Sequence, residues 1–538
     1  MHFAWTRGSR LSPLLIAVAL LLIATSADAA VWSPDFNISG GDVNETYTPL
    51  NGQRASVVDD SNNLYIAFFD NRNKNGNDNN FEIYFRRFVF NFGSPSITRV
   101  TNFYNPSRYP SLATLNWGQA DSSTASDSGR VYIAWQDSRL FGIPFSGEPV
   151  SYTIFFRTFQ SRGGAGFGPE IQVSPYDSLS VATSPVVACG DSSRVWIVWQ
   201  KGPTPGANPD LYYAIYNRTT RTMGAQQQLT NDPAVSSSAS IATTRNGVVH
   251  LVWVDTRTGG QQIWTKRFVP GSGWTADQQL VFSTGVAAQP SLTADYQGHV
   301  HLLWRDSRDG NNEIYYKEFR PGPGWDAIDT RLTVNSATQG EPAADADPRS
   351  NVYVVWTDQR NGSSNPDIFY KERKGGLWQA DVPLVYAATD TSNSVQQFPT
   401  ITHDGVANLY VAWTDHRLPA SIGKNREIYY KVGTGFVTGV EGEGSAPLAR
   451  LLRNYPNPFN PSTTIKFSLE RDAQVALRVF DVHGRLVRTL LDSYLAAGPR
   501  TVEWDGRDDR GRFLASGTYY MRLQGGGQYV SRTVNLLK

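Results

Sequence analysis

Cysteine is nearly missing from this chain: Cys189 is the only one among 538 residues. No disulfide can form within a single copy, so stability rests on a hydrophobic core, which a chain of this length can build. Cys189 lies in the apolar run "SPVVACGDSS", with no histidine or cationic neighbourhood that would activate a thiol. An excess of charge of either sign is also missing. Forty-nine Lys and Arg face 48 Asp and Glu, and no basic block occurs, which excludes a nucleic-acid or anionic-membrane partner held by charge. G-x-S-x-G, H-E-x-x-H, P-loop and paired-cysteine motifs are absent. Long hydrophobic runs are lacking after residue 24, and "LLIAVALLLIA" (14–24) is itself too short to cross a bilayer comfortably.

That short run has a different reading. Arg7 and Arg10 precede it and Ala27-Asp28-Ala29 follows it, the layout of a secretory signal cut after Ala29. Residues 1–29 are therefore expected to be a signal peptide, and the mature chain to have no transmembrane segment.

Aromatics, at 12%, and turn residues are plentiful, which predicts an all-β fold. One phrase recurs: "VHLLWRDSRDGNNEIYYKEF" (300–319), "VHLVWVDTRTGGQQIWTKRF" (249–268), "VYVVWTDQRNGSSNPDIFYKER" (352–373) and "LYVAWTDHRLPASIGKNREIYYKV" (409–432). Looser copies begin at Leu64, Val131 and Val195, which makes seven units. Each holds four strand-like runs, in the fifth copy 290–295, 299–306, 312–319 and 329–335. Runs such as "VYVVW" are apolar throughout and need cover on both faces. Stacked four-stranded sheets supply that cover, so residues 30–436 predict a seven-bladed β-propeller. The seventh unit lacks its outer strand, and "PDFNISGGD" (34–42) resembles the outer strands of other units. The N-terminal strand is expected to complete the last blade and remove an open edge.

Six units carry Asp-x-Arg after the second strand: Asp70/Arg72, Asp137/Arg139, Asp255/Arg257, Asp306/Arg308, Asp358/Arg360 and Asp415/Arg417. The third has Gln200-Lys201-Gly202 instead. A device repeated around a ring solves a problem every blade shares, so these pairs are expected to fasten the turn to its own or the next blade. The carboxylate takes backbone N–H bonds, and the guanidinium pairs with it or stacks on an aromatic. A ligand is expected where the symmetry breaks, in the insertion 140–151, the 201–210 turn and the 418–425 loop. Phe141, Phe145, Glu148 and Lys201 are the candidate contacts. His299 and His301 have a spacing two metal ligands use, but His301 fills a position held elsewhere by Tyr132, Trp196, His250, Tyr353 and Tyr410. No metal site or cofactor is predicted. Asn/Asp-rich loops such as "DNRNKNGNDNN" (70–80) offer oxygen donors to calcium without EF-hand spacing.

The repeat region resembles sialidase-like bacterial propeller proteins. The sialidase Asp-box is not matched: "SRDGNNEIYY" (307–316) has Asn311 where the glycine belongs and lies between the second and third strands, not the third and fourth. No catalytic residue carries over. A Gly/Ser-containing linker (437–453) leads to residues 454–538, whose alternating strands and Gly-centred turns describe a small Ig-like β-sandwich. "NYPNPFNPSTTIKFSL", the 475–487 stretch, "EWDGRDDRG", "ASGTYYMRL" and a last strand ending at Lys538 resemble the C-terminal type A sorting domain of type IX secretion substrates, related to flagellar-hook-capping Ig-like domains. That resemblance implies passage through the periplasm of a Gram-negative-type bacterium. The outer-membrane type IX machinery would be the partner, and the protein would end secreted or on the outer surface. The expected function is a non-catalytic module that binds glycans or proteins. The alternative is a secreted sialidase-like glycoside hydrolase, which would need two carboxylates facing across a cleft.

Overall fold

The computed structural model describes residues 31–537, leaving out 34, 40–45, 49–53, 60–62, 73–79, 89–95, 116–128, 141–150, 162–165, 191–192, 204–207, 385–393, 405–407, 418–425, 435–448, 458, 470–471, 482–485 and 526–527. Within them the repeat region forms seven antiparallel sheets, numbered here one to seven in the order of their second strands along the chain. In sheet five the inner strand is Ala287–Ala294, the second Val300–Asp306 and the third Glu313–Arg320. The outer strand differs from the single run expected. It is broken into Gly324–Trp325 and Thr330–Arg331, both paired with the third strand, which makes five strands, as in sheets two to four, six and seven; in sheet one the outer strand Ser96–Arg99 is a single run and the inner strand is in two pieces, Thr46–Tyr47 and Ser56–Val58. Acidic side chains border the break: Asp326 pairs with Arg320, and Asp329 with Arg308 and Lys317.

The all-apolar second strands are buried along their length, as in Leu64–Asp70, Val249–Asp255 and Val352–Asp358. Alternation of side chains explains how. Val300, Leu302 and Trp304 pack with Val252 and Ile263 of sheet four, whereas the intervening Leu303 joins Val354 and Trp356 of sheet six. One strand thus feeds two cores. The inner strands touch in sequence order, and Gln396–His403 of sheet seven lies against Ser56–Val58 of sheet one.

Val31–Trp32 and Phe36–Asn37 pair with Glu427–Thr434, with Trp32 opposite Gly433 and Phe36 opposite Tyr430. The chain's early residues therefore supply the outer strand of sheet seven. Six inner strands share another feature, a bulge with one non-glycine residue at positive φ: Tyr109, Ser184, Ser238, Gln289, Glu341 and Phe398, all between 51° and 56°. Five of these precede a proline.

The C-terminal region has a three-stranded sheet (Ala449–Tyr455, Thr463–Leu469, Gly498–Trp504) and a four-stranded one (Ala473–Phe480, Leu486–Leu495, Gly517–Gly525, Gln528–Leu536). Thr463, Ile465, Phe467 and Leu469 are buried while their neighbours are not, the period of a strand with one wet face. Ile465, Phe467, Leu477, Trp504, Met521 and Val534 share the core. Its first strand begins inside the stretch read as linker. Among the described residues no helix is long and apolar enough to cross a membrane.

Candidate functional site

Six of the seven sheets carry an Asp-x-Arg turn at the end of the second strand. In sheet five Asp306 Oδ1 accepts the Arg308 N–H at 3.0 Å and the Ser283 hydroxyl at 2.6 Å. Asp306 Oδ2 accepts Trp304 Nε1 at 2.9 Å and Arg308 Nη2 at 2.6 Å. Burial works against the Asp306 carboxylate, yet Arg308, Ser283 and Trp304 together hold its pKa below the ordinary range. Asp70/Arg72, Asp137/Arg139, Asp255/Arg257, Asp358/Arg360 and Asp415/Arg417 repeat the Asx turn, with Arg N to Asp Oδ1 at 2.6–2.9 Å. Trp135, Trp253, Trp356 and Trp413 donate to their own Asp as Trp304 does. Each guanidinium also lies 4.0–4.8 Å over a third-strand ring: Tyr84, Phe155, Trp264, Tyr315, Phe369 or Tyr429.

The device varies at Arg72. Its unit carries Phe68 where the other five carry Trp, and a phenyl ring has no N–H to give Asp70. The Thr46 hydroxyl donates to Asp70 Oδ2 at 2.6 Å, the bond that Ser107 and Ser236 of the inner strands give Asp137 and Asp255 in sheets that also keep the indole donor. Arg72 Nη2 donates both to Asp70 Oδ2 and to the Ser39 carbonyl, each at 2.7 Å. Ser39 follows the Phe36–Asn37 strand of sheet seven, so Arg72 ties sheet one to the segment that completes its neighbour. The Asn-rich turn beyond Arg72, residues 73–79, lies outside the described residues.

A second layer, not foreseen from sequence, ties neighbouring sheets. Arg308 Nη1 reaches Asp329, just before the second piece of the outer strand, at 2.8 Å, and Asp329 also holds Lys317 at 2.8 Å. Lys317 Nζ then donates to Leu280 O of the preceding sheet at 3.2 Å. Lys266 with Asp277 and Leu229 O, and Lys371 with Asp381 and Leu332 O, repeat this chain. In sheet seven the outer acid comes from the other end of the sequence: Asp35 pairs with Arg417 at 2.8 Å and Lys431 at 2.9 Å, and Lys431 bonds Leu384 O.

Sheet three lacks the device. Lys201 occupies the Asp position, 3.7 Å from Asp177 and 5.6 Å from the Tyr212 ring centre. Trp199 Nε1, whose equivalents donate to Asp, is buried with no hydrogen-bond partner. Of the other predicted contacts, Phe141, Phe145 and Glu148 lie outside the described residues, as does the 418–425 loop.

Sequence reasoning missed a polar quadrant on the axis. The inner-strand bulges of sheets five to seven bring Gln289, Glu341 and Phe398 around a cavity of about 50 Å³, room for a few waters. Gln289 Oε1 accepts the Glu341 N–H at 2.8 Å, and Glu341 Oε2 accepts the Phe398 N–H at 2.8 Å and the Thr357 hydroxyl at 2.7 Å. Arg305 runs alongside: a Cβ at Gly340 would sit 3.7 Å from its Cδ and 3.3 Å from Gln289 Oε1. Burial raises the Glu341 pKa and lowers that of Arg305, each against the attraction of the other, and Arg305 Nε is buried without a hydrogen-bond partner. The signal was present in sequence as Tyr-Pro, Ser-Pro, Gln-Pro, Glu-Pro and Phe-Pro at one place in five units, a constant kink with a variable side chain.

Farther along the inner strands, residues of four sheets meet. Asp345 accepts the His403 backbone N–H at 3.0 Å and lies 2.7 Å from its Nδ1, with Thr293 at 3.2 Å and Arg54 at 3.8 Å. His301 is buried, 2.9 Å from the Tyr316 hydroxyl, and His299 is 3.1 Å from Asp295. Their positions match Tyr65 and Asn63, which bond Asp59 in sheet one. Among the described residues no group of three His, Cys, Asp or Glu is arranged to hold a metal ion.

The family model for the FlgD Ig-like domain matches residues 458–528. No curated protein sequence matches the chain. Solved structures similar to it include a protein of unknown function from Dyadobacter fermentans DSM 18053 (10% identity, 74% of this chain and 99% of that one, TM-score 0.40). A Hadza microbial sialidase, Hz136, is 12% identical over 66% of this chain and 73% of its own, TM-score 0.39. The polysaccharide lyase Uly1 is 13% identical over 74% and 94%, TM-score 0.42. Likeness at this level says nothing of activity.

Proposed function

We propose that the chain is an exported seven-bladed propeller that binds a glycan at its axial mouth, carried outward by its C-terminal Ig-like domain. The observation behind this reading is the quadrant of Gln289, Arg305, Glu341 and Phe398, where donor, acceptor and ring meet on fixed backbone. Adjacent sugar hydroxyls both donate and accept, so a carboxylate beside a guanidinium suits them. The cavity beneath is too small for a sugar ring, so the ligand sits at the mouth. The Asp-x-Arg carboxylates are saturated by their own turns and serve as fasteners. Export rests on the signal-like residues 1–29 and on the resemblance of 454–538 to a type IX sorting domain.

The hydrolase alternative draws on one observation: burial raises the Glu341 pKa, as a general acid requires. Among the described residues the cavity lining offers no second carboxylate. A glycan array read beside a fluorogenic glycoside panel separates the two. Binding without turnover, abolished by Glu341→Gln, supports the module. Turnover abolished by the same change assigns a hydrolase instead. Deleting 454–538 tests the export route: accumulation in the periplasm supports it, and normal surface delivery contradicts it.

A further inference from the structure

Arg305 is the one member of the axial quadrant without a structural task. It stands between the core aromatic and the Asp of its second strand, a position that elsewhere caps the next sheet. In sheets two and three the position holds glutamine, whose side-chain oxygen accepts the N–H of the next sheet's bulge residue. Gln136 takes Ser184 at 3.0 Å and Gln200 takes Ser238 at 3.3 Å. In sheet seven the Thr414 hydroxyl accepts the Thr48 N–H of sheet one at 3.0 Å. A guanidinium accepts nothing, so in sheet five the task passes to Gln289, which takes the Glu341 N–H at 2.8 Å. Arg305 itself makes no hydrogen bond, and no ion pair within 4 Å, to any described residue. The six fastener arginines each hold their own Asp at 2.6–2.7 Å.

The Arg305 side chain runs past Gly340, where a Cβ would stand 3.7 Å from its Cδ. Nε is buried, but the residue is only half-buried and its two Nη groups are open. A half-desolvated cation without a partner calls for an anion, and its planar fork fits a carboxylate through two parallel bonds. Neutral hydroxyls need no charge; the glutamine that this position carries in sheets two and three would serve them. Glu341 does not cancel the cation. It lies beyond ion-pair range of Arg305, and burial raises its pKa, so a second carboxylate arrives beside a group that takes up a proton more easily than an exposed glutamate does. We infer that the axial site selects an acidic sugar, whose ring carboxylate pairs with the Arg305 fork while a neighbouring hydroxyl donates to Glu341. The inference rests on the glycan reading given above and adds to it the charge of the ligand.

The test uses the full-length chain and calorimetry with tetramers of galacturonate, and of glucuronate alternating with N-acetylglucosamine, each beside its neutral methyl ester. A galactose tetramer carrying sulfate esters and a hexapeptide of glutamate complete the set. An acid series should bind about thirtyfold more tightly than its ester, the worth of a charged hydrogen-bonded pair. Arg305→Gln should erase that preference and Arg305→Lys should keep part of it. Melting of Arg305→Gln should not fall, because no partner is lost. Equal binding of acid and ester, or a preference that survives Arg305→Gln, overturns the acidic-sugar inference and leaves the glycan reading standing. Preference for the sulfate esters over both carboxylate series also overturns it. Failure of every saccharide to bind overturns the glycan reading and this inference with it, and binding of the glutamate peptide alone assigns the arginine to a protein ligand and does the same.

Discussion

Sheets five and three are built on the same ladder and differ at one turn. In sheet five Asp306 takes four hydrogen bonds from Ser283, Trp304 and Arg308. In sheet three Lys201 stands in its place and Trp199 Nε1 is buried without an acceptor. The fold tolerates this once because the Ser180–Pro203 hairpin is two pairs longer and adds backbone bonds where the side-chain cluster is missing. Sheet one stands between the two: it keeps Asp70, Arg72 and the inner-strand hydroxyl of Thr46 but has Phe68, without an N–H, where the indole donor stands elsewhere. The contrast teaches which parts of the repeat are obligatory. The Trp position of sheet three is kept even where its bond is lost, since its ring fills the core between sheets two and three. The Asp and Arg are replaceable, provided that backbone does their work.

Breaking a fastener should cost far more than changing the turn that lacks one. The largest effect is expected at sheet seven, where Asp35→Ala strips Arg417 and Lys431 of their shared carboxylate. Both cations are mostly buried; Arg417 keeps Asp415, but Lys431 is left with the Leu384 carbonyl, and depriving a buried charge of its carboxylate costs about 3–5 kcal/mol, to be read by urea unfolding. Asp306→Ala strands Trp304, Ser283 and Arg308 together and should cost about 3 kcal/mol. Lys201→Ala, an isolated pair at the rim, should cost under ~1 kcal/mol. A cost at Lys201 equal to that at Asp306 would erase the distinction between the sheets.

The axis gives a pH-dependent comparison. His403 pairs with Asp345, with Arg54, Asp347 and Asp404 also facing the pair. Burial alone would depress the imidazole, but Asp345 raises its pKa above the ordinary 6.5. A raised folded value stabilises the fold fully below pH 6.5, and that contribution fades as pH climbs through the folded value. Asp345 is held at about 2 despite burial, so its own contribution is lost only as pH falls from the ordinary 3.8 toward 2. His403→Gln should flatten the decline of melting temperature between neutral and alkaline pH. An unchanged slope would remove His403 from the account. The smallest effect is a gain: Lys201→Asn offers Trp199 Nε1 an acceptor without new charge and should add about 0.5 kcal/mol.

Much of this was legible in the sequence, for physical reasons that particular residues illustrate. Second strands such as "VYVVW" announced burial on both faces, and "PDFNISGGD" carried the outer-strand pattern that places Phe36 opposite Tyr430. The Asp-x-Arg spacing announced the Asx turn in every copy, but not that Arg72 would reach Ser39, because that carbonyl belongs to a neighbouring sheet. The chain Arg308–Asp329–Lys317 was present as a lysine in "YKEF", "TKRF", "YKER" and "YKVG", but only a sheet that stacks on another reveals what a third-strand lysine reaches. The axial quadrant was hidden for a different reason. Gln289, Arg305, Glu341 and Phe398 come from three sheets, and their meeting depends on bulges that no pattern of apolar residues encodes. Of the contacts expected at the insertions, Lys201 lies against Asp177 and Tyr212, and Phe141, Phe145 and Glu148 lie outside the described residues.

Arg308→Ala puts the fastener reading to its most direct test when melting temperature is measured beside the glycan-array profile. The account predicts a fall in melting temperature of a few degrees, about 2–4 °C per kcal/mol lost, with the array profile unchanged. Melting identical to the wild type together with a lost array profile would contradict it and turn the repeated arginines into ligand contacts.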